Sequence, residues 1–198
     1  MVQTPIVAVV AHHTRHSEAV DLMNHVNGAT LFVDDDYHGS LWNHRRALQW
    51  ADSIGERVWI MEDDAVPDRD FAEHAHHWAT RYPNELISGY LGRSRPPQWQ
   101  HRIESLLAHG DDHVRLPQLI HGVCYSIPPE ETGRVLAGLQ DGPADYAIGD
   151  AWDRDVLYTV PSLVDHADGE PVEKHPDGTK RTPGRTAWVP PLKTIKLK

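Results

Sequence analysis

The chain has 198 residues, of which 39% are hydrophobic and 24% are charged, and its formal net charge is -10. This length and composition exclude a miniprotein that needs disulfides or metals to fold, and they exclude a disordered chain, which would contain fewer apolar residues. The acidic balance also argues against a protein that holds nucleic acid through a broad basic surface.

The sequence has no apolar segment of membrane-spanning length near its start. The run from Ile6 to Ala11 is too short for a membrane helix or for the apolar part of a signal peptide. The single cysteine, Cys124, cannot form an internal disulfide, and its neighbours Val123 and Tyr125 indicate a buried hydrophobe and not a nucleophile. We therefore expect a soluble protein of the cytoplasm without membrane insertion.

The first third of the chain alternates short apolar strands with amphipathic helices. The pattern predicts strands at 6–10, 29–33 and 57–61, and helices at 19–26 and 41–54. Gly55 is expected to end the second helix, because glycine readily adopts the left-handed conformation found after helices. This alternation predicts an α/β fold with a central, mostly parallel sheet flanked by helices.

In the rest of the chain, the pattern of apolar residues is less regular. Asp70 and Glu73 predict a capping box for a helix that reaches Tyr82. Pro161 predicts that the apolar run 157–164 is an edge strand or a broken strand. Further strands are expected at 85–90 and within 113–127, and further helices at 99–107, 128–139 and 144–157. We divide the chain into a catalytic domain, 1–165, and an extended basic segment, 166–198, that lies over the sheet or orders with a ligand.

The acidic turn Glu62-Asp63-Asp64 directly follows the third predicted strand. In an open α/β sheet, ligands bind outside the carboxyl ends of the strands, so these carboxylates are expected to face the site. Such hard oxygen ligands suit Mg²⁺ or Mn²⁺, with water and substrate phosphates completing the coordination. The alternative is a solvated acidic turn without a ligand.

This turn, which follows a helix carrying Asn43, Ala47 and Ala51 and then a buried strand, resembles the DxD motif of GT-A glycosyltransferases. The resemblance implies a Rossmann-like GT-A fold and a metal contact at Asp64. It also implies a donor or metal contact at Glu62 or Asp63. The first acid of the motif is glutamate here, which departs from the family pattern.

The segment 161–166, followed by Gly169 and Pro171, is similar to the closing segment of small bacterial and phage members of that family. The similarity implies that His166 completes the metal shell and that Arg181 and Arg185 contact the diphosphate. The alternative is that His166, as a histidine after an apolar strand, is a surface or capping residue. A phage-encoded member would act in the host cytoplasm.

Two acids in the segment 144–153 are candidates for a general base. Asp145 best matches the acid that lies near the acceptor in this family, and Asp150 is the second choice. Helical spacing places Asp150 and Asp153 on one face, so a solvated acidic face is the alternative.

The donor end of the site is implied by residues that follow the first two strands. Thr14 and Arg15 occupy the position where the family contacts base and ribose, and Asp34 occupies the position of an acid that binds base or ribose. Gly122 resembles the small residue beneath the donor sugar, although a bulge would also explain a glycine there.

Together these features imply a metal-dependent transfer of a sugar from a nucleoside diphosphate, UDP, to a hydroxyl acceptor. The acceptor class stays open between a glycan, a protein side chain and a hydroxylated DNA base. The net charge disfavours DNA, whereas the basic residues near the end of the sequence favour it. Two alternatives remain: a metal-dependent phosphohydrolase or nuclease that uses Asp63, Asp64, Asp145 and Asp150, and a non-catalytic protein that binds a nucleotide or carbohydrate.

Overall fold

A computed structural model of the chain describes residues 4–167 and 185–193. In this part of the chain, no helix is both long enough and apolar enough to cross a membrane. The strands are β1 (Ile6–His12), β2 (Thr30–Asp34), β3 (Val58–Glu62), β4 (Ala65–Pro67), β5 (Ile87–Ser88), β6 (His113–Leu116), β7 (Cys124–Ser126), β8 (Val156–Thr159) and β9 (Val164–His166). The helices are α1 (His16–His25), α2 (Ser40–Ile54), α3 (Phe71–Arg81), α4 (Pro97–Leu107), α5 (Pro129–Gly138) and α6 (Ala144–Trp152).

Within the described residues, seven strands form one sheet in the order β2-β1-β3-β7-β5-β8-β6, and β4 pairs with β9 in a small second sheet. β1 runs parallel to β2 and β3, and β5 runs parallel to β8. β7 and β6 run antiparallel to their neighbours, so five of the seven strands point the same way. The predicted α/β fold with a mostly parallel central sheet is therefore confirmed.

The sheet is buried on both faces, which explains why its central strands are uninterrupted apolar runs. Along β1, Ala8 and Val10 contribute to the core on one face, whereas Val7 and Val9 contribute to the core on the other. Cys124 is fully buried in the second core, and this burial raises the pKa of its thiol, as expected for a packing residue. Helices cover both faces because each has an apolar stripe to bury.

Several predicted boundaries match the local chemistry. Gly55 follows α2 with a φ of 64°, and its N–H donates to the carbonyl oxygen of Ala51, as predicted for a glycine that ends a helix. α5 begins at Pro129, where the missing N–H of proline leaves no hydrogen bond unmade.

The predicted helix at 144–157 is too long. α6 ends at Trp152 because Asp153 has a φ of 55°, and the chain then enters β8. The prediction for Pro161 is also corrected in part. β8 lies inside the sheet between β5 and β6, and Pro161 follows its end, so it interrupts the apolar run without lying in an edge strand.

The capping box predicted at Asp70 and Glu73 does not form. The Asp70 carboxylate pairs instead with Lys193, with 2.8 Å between Oδ2 and Nζ, and its N–H donates to Asp68 Oδ1 at 2.7 Å. The strand predicted over 85–90 is reduced to the two residues of β5.

Residues 185–193, which we call the strap, lie across the carboxyl side of the sheet. Ala187 pairs with Gly92, and the N–H of Trp188 donates to the carbonyl oxygen of Leu91 at 2.9 Å. At its other end, the N–H of Lys193 donates to the buried carboxylate of Asp68 at 3.0 Å. These bonds fix the position of the strap against the body of the fold.

A close contact inside α6 gives a test of the packing. A Cβ at Gly149 would lie 1.5 Å from Gln118 Oε1 and 2.6 Å from the backbone nitrogen of Leu119. We expect Gly149→Ala to lower the free energy of unfolding by about 1–3 kcal/mol, because overpacking outweighs the gain in helix propensity. Urea denaturation measures this change.

The matched control is Gly133→Ala in α5. Its Cβ would meet only Asp52 Oδ1, at 3.1 Å, and this exposed side chain can move. We expect no loss of stability, and a gain of up to about 1 kcal/mol. A similar loss in both variants would show that the Gly149 contact is not the cause.

Candidate functional site

The carboxyl ends of three adjacent strands form one edge of a cleft. Asp34 ends β2 and His12 ends β1, and these two residues are partners in the sheet register. Glu62 ends β3, with Asp63 and Asp64 in the turn that follows. The open cleft is lined by these residues, by the start of α2 and by Arg185. The predicted convergence of carboxylates at this edge is therefore present.

Arg15 lies between the two acids of the turn. Its Nη1 is 3.0 Å from Asp63 Oδ1 and 2.6 Å from Asp64 Oδ2, and only 9% of the residue is exposed. Burial alone would lower the pKa of Arg15, but the two carboxylates outweigh it and raise that pKa. The guanidinium thus neutralises negative charge inside the cleft.

Asp63 is a buried acid whose pKa is strongly shifted. Burial, and then the negative charge of Asp64, raise the pKa of Asp63 to about 7. The N–H of His12 donates to Asp63 Oδ2 at 2.8 Å, and this bond and Arg15 only partly offset the increase. Asp63 therefore ties the turn to the end of β1.

Asp64 faces His166, which lies in β9. Asp64 Oδ2 lies 3.3 Å from His166 Nε2, and Asp64 Oδ1 is buried without a hydrogen-bond partner among the described residues. His166 Nδ1 lies 2.6 Å from the carbonyl oxygen of Ala167, so the ring donates its proton there and a neutral ring keeps a lone pair on Nε2. A lone pair and a carboxylate that face each other are a fitting pair of ligands for a cation.

Asp64 and His166 are two ligands and do not by themselves form a complete metal site. In residues 4–167 and 185–193 there is no group of three or more histidine, cysteine or acidic side chains that could hold a metal ion. Arg15 also occupies Asp64 Oδ2. A divalent cation therefore fits on Asp64 and His166 only if water and ligand oxygens complete its coordination, which is common for Mg²⁺.

Glu62 contacts a different residue from those that Asp63 and Asp64 contact. Its Oε1 lies 3.4 Å from Nε2 of the buried His44. A Cβ at Gly122 would lie 2.8 Å from Glu62 Oε1 and 3.5 Å from His44 Cε1, so the glycine leaves room for both side chains. Gly122 is thus a position of close approach to Glu62 and His44, and the place of a donor sugar above it stays a prediction.

The two candidate bases have different surroundings. Burial raises the pKa of Asp145 to about 6, the N–H of Tyr146, which donates to Oδ1 at 2.9 Å, opposes this increase, and the charge of Glu62 adds to it. The residues that line the cleft do not include Asp145. Asp150 is exposed and accepts a hydrogen bond from Gln118 Nε2 at 2.7 Å, outside the cleft lining.

The residues expected at the donor end also differ in their positions relative to the cleft. Asp34 lines the cleft, and its carboxylate accepts N–H groups from His38 at 3.0 Å and Gly39 at 2.7 Å. Burial opposes ionisation of Asp34, but these bonds outweigh it and lower its pKa. Thr14 is exposed and pairs with His12 Nδ1 at 2.8 Å, so the structure does not bring it into the cleft.

Of the two basic residues expected at the diphosphate, Arg185 lines the cleft, and Arg181 lies outside the described residues. Asp165 Oδ1 accepts the N–H of His166 at 2.9 Å and the N–H of Ala187 at 2.8 Å. One carboxylate oxygen therefore positions both the histidine beside Asp64 and the start of the strap that carries Arg185.

Sequence reasoning gave no role in the site to the polar residues that α2 contributes, Asn43 and His44. Asn43 is buried and donates to the carbonyl oxygens of Phe32 at 2.8 Å and Ala11 at 3.2 Å, which joins the ends of β2 and β1. His44 is 1% exposed. The signal was available, because both precede Ala47 by one helical turn and so belong to the apolar face of the predicted helix.

No family model matches the chain, and no curated protein matches it. The fold is similar to that in the crystal structure of A197 from STIV, with a TM-score of 0.55 and 11% sequence identity. The similarity covers 91% of this chain and 97% of the other. At this identity, it supports the α/β fold and carries no residue roles.

The raised pKa of Asp63 predicts a pH dependence of stability. Because its pKa is about 7 in the fold and about 3.8 in the unfolded chain, the favourable protonated state is lost as pH rises through about 7. We expect the wild type to lose on the order of 1–4 kcal/mol between about pH 4 and pH 8 relative to Asp63→Asn. Urea denaturation in EDTA measures this difference.

Asp34→Asn is the control, because the pKa of Asp34 is lowered. Its stabilisation is present above the ordinary pKa of about 3.8 and is lost only at lower pH. Its difference from the wild type should therefore stay constant between about pH 5 and pH 8. An equally constant difference for Asp63→Asn would contradict the raised pKa.

Proposed function

We propose that the protein transfers a sugar from a nucleoside diphosphate donor, UDP, to a hydroxyl acceptor. The observation that carries this proposal is the ordered edge of the cleft, where Asp34, Arg15 and the acidic turn follow neighbouring strands of an α/β sheet. Arg185 reaches this edge from the strap, and His166 reaches Asp64 from β9 of the small second sheet. Ligand binding outside the carboxyl ends of strands is the rule for such sheets. The resemblance of Glu62-Asp63-Asp64 to the DxD motif supports the same reaction.

The cations of the cleft suit a diphosphate. Arg15 is held by Asp63 and Asp64, and Arg185 reaches the same cleft from the strap. In our proposal both guanidinium groups face the diphosphate, and Asp34 receives the base or ribose at the β2 end. Fixed donors of this kind stabilise the negative charge that develops on a leaving diphosphate.

Asp64 and His166 would hold Mn²⁺ or Mg²⁺. The unpartnered Asp64 Oδ1 and the free lone pair of His166 Nε2 support this assignment. When bound, the cation would neutralise charge on the diphosphate as it leaves. Arg15 must then share Asp64 with the cation or release its Oδ2.

Asp145 is our candidate for the base that takes the proton from the acceptor hydroxyl. A pKa of about 6 leaves it ionised at neutral pH and still basic enough to accept a proton. The acceptor is a glycan, a protein side chain or a hydroxylated DNA base, and the net charge of -10 favours the first two. The lone, buried Cys124 agrees with a reaction in the reducing cytoplasm.

Nucleotide binding is the first test. We expect UDP with Mn²⁺ to raise the melting temperature by several degrees at saturating concentration, because a ligand of the native state stabilises it. GDP, CMP and UDP without Mn²⁺ should have smaller effects. Asp64→Asn should abolish the Mn²⁺-dependent shift, whereas Asp52→Asn, an exposed acid outside the cleft, should preserve it.

The other functions make different predictions in the same experiment. Stabilisation by Mn²⁺ alone, with phosphate release or DNA cleavage, would indicate the phosphohydrolase or nuclease. Binding of UDP with neither transfer nor hydrolysis across acceptors would indicate a non-catalytic binding protein. A full UDP and Mn²⁺ response in Asp64→Asn would exclude Asp64 as a ligand.

The assignment of the base is tested by two isosteric variants. Asp145→Asn should lower kcat by about 10²–10⁴-fold for an inverting transfer, because the amide cannot accept the proton. In the wild type, the rate should rise with pH through about 6. An effect of this size in Asp150→Asn instead would move the base to Asp150, and an unchanged rate in both would indicate a retaining transfer without such a base.

A further inference from the structure

We propose that His44, together with Glu62, binds one hydroxyl of the transferred sugar and so determines which sugar the protein accepts. This inference rests on the proposed function and names a residue that selects the substrate of the same site. It follows from three observations: the burial of His44, the direction in which its proton points, and the place of the pair along the cleft.

His44 is buried in an unusual way. Only 1% of the residue is exposed, and it lines the cleft from α2. Its Nδ1 lies 3.0 Å from the Tyr125 hydroxyl, whereas its Nε2 has no hydrogen-bond partner among the described residues. A buried polar atom without a partner is costly, and a ligand that supplies the missing bond recovers that cost on binding.

The hydrogen bond with Tyr125 fixes the tautomer of His44. Burial raises the pKa of Tyr125 well above its usual value, so its hydroxyl keeps its proton. His44 Nδ1 is the acceptor that the described residues offer to this proton. A neutral His44 therefore carries its own proton on Nε2 and presents an N–H donor to the cleft.

This donor stands beside an acceptor. Glu62 Oε1 lies 3.4 Å from His44 Nε2, but the two atoms are not aligned in a hydrogen bond. A hydroxyl that enters between them can accept from His44 and donate to Glu62, which a phosphate oxygen cannot do. Polyols carry many such groups, so the pair suits a sugar ring.

The order of the sheet separates this pair from the rest of the cleft. Asp34, Arg15 and the turn at Asp63 follow β2, β1 and β3, in that spatial order. Gly122 precedes β7, the next strand along, and lies against Glu62 and His44. If the base lies at Asp34 and the diphosphate at the arginines, the sugar reaches Glu62 and His44.

The test separates the sugar from the nucleotide. We would measure dissociation constants of UDP, UDP-glucose, UDP-galactose and UDP-N-acetylglucosamine by calorimetry with Mn²⁺, for the wild type and His44→Leu. In the wild type, at least one UDP-sugar should bind more tightly than UDP. His44→Leu should weaken that UDP-sugar about three- to tenfold and leave UDP unchanged, as expected for one lost hydrogen bond.

Two further variants test the role of His44 if His44→Leu does not fold. His44→Gln keeps an N–H donor at a similar reach and should retain sugar selectivity. Tyr125→Phe keeps the ring and removes the group that fixes the tautomer, so it should reduce selectivity for the sugar without affecting UDP. Single-deoxy analogues of the preferred sugar should reveal one hydroxyl whose removal costs affinity in the wild type and costs nothing further in His44→Leu.

The outcomes distinguish the two proposals. Equal affinities of UDP and all UDP-sugars in the wild type, or equal losses for UDP and the preferred UDP-sugar in the His44 and Tyr125 variants, would overturn the role of His44 alone. If the wild type binds neither UDP nor any UDP-sugar, the proposed function fails, and the role of His44 fails with it.

Discussion

The contact of one buried guanidinium with two adjacent carboxylates is the interaction on which the site depends. Without Arg15, the acids Asp63 and Asp64 would face each other in a largely buried turn, and loss of one partner from a buried ion pair is strongly destabilising. A separate hydrogen bond, from the N–H of His12 to Asp63, holds the turn against the end of β1. Asp63 therefore links charge neutralisation to the position of the turn.

The sheet arranges the site along a line. Parallel strands β2, β1 and β3 bring their carboxyl ends to one edge, and the antiparallel strand β7 brings its start to the same edge. Two residues far apart in sequence, Glu62 and Gly122, thus become neighbours. Because β7 runs antiparallel to β3, Gly122 lies against Glu62 and His44. These two residues line the same cleft as Arg15 and Arg185.

Local sequence patterns predicted the fold class and most elements, because strands buried on both faces must be apolar along their whole length. The patterns also placed Asp63, Asp64 and Asp34 at one edge. They could not predict that Arg15 contacts both acids of the turn or that Thr14 stays outside, since neither follows from periodicity. The short β5, the interior position of β8 and the pairing of Asp70 with Lys193 depend on distant segments in the same way.

The strap makes the charge of the cleft depend on a segment that is distant from it in sequence. Residues 185–193 follow every strand of the main sheet and contribute none of them. Without the strap, Asp165 would lack the N–H of Ala187, and the cleft would lack Arg185. Loss of these nine residues would therefore keep all seven strands in the chain and still make the cleft more negative.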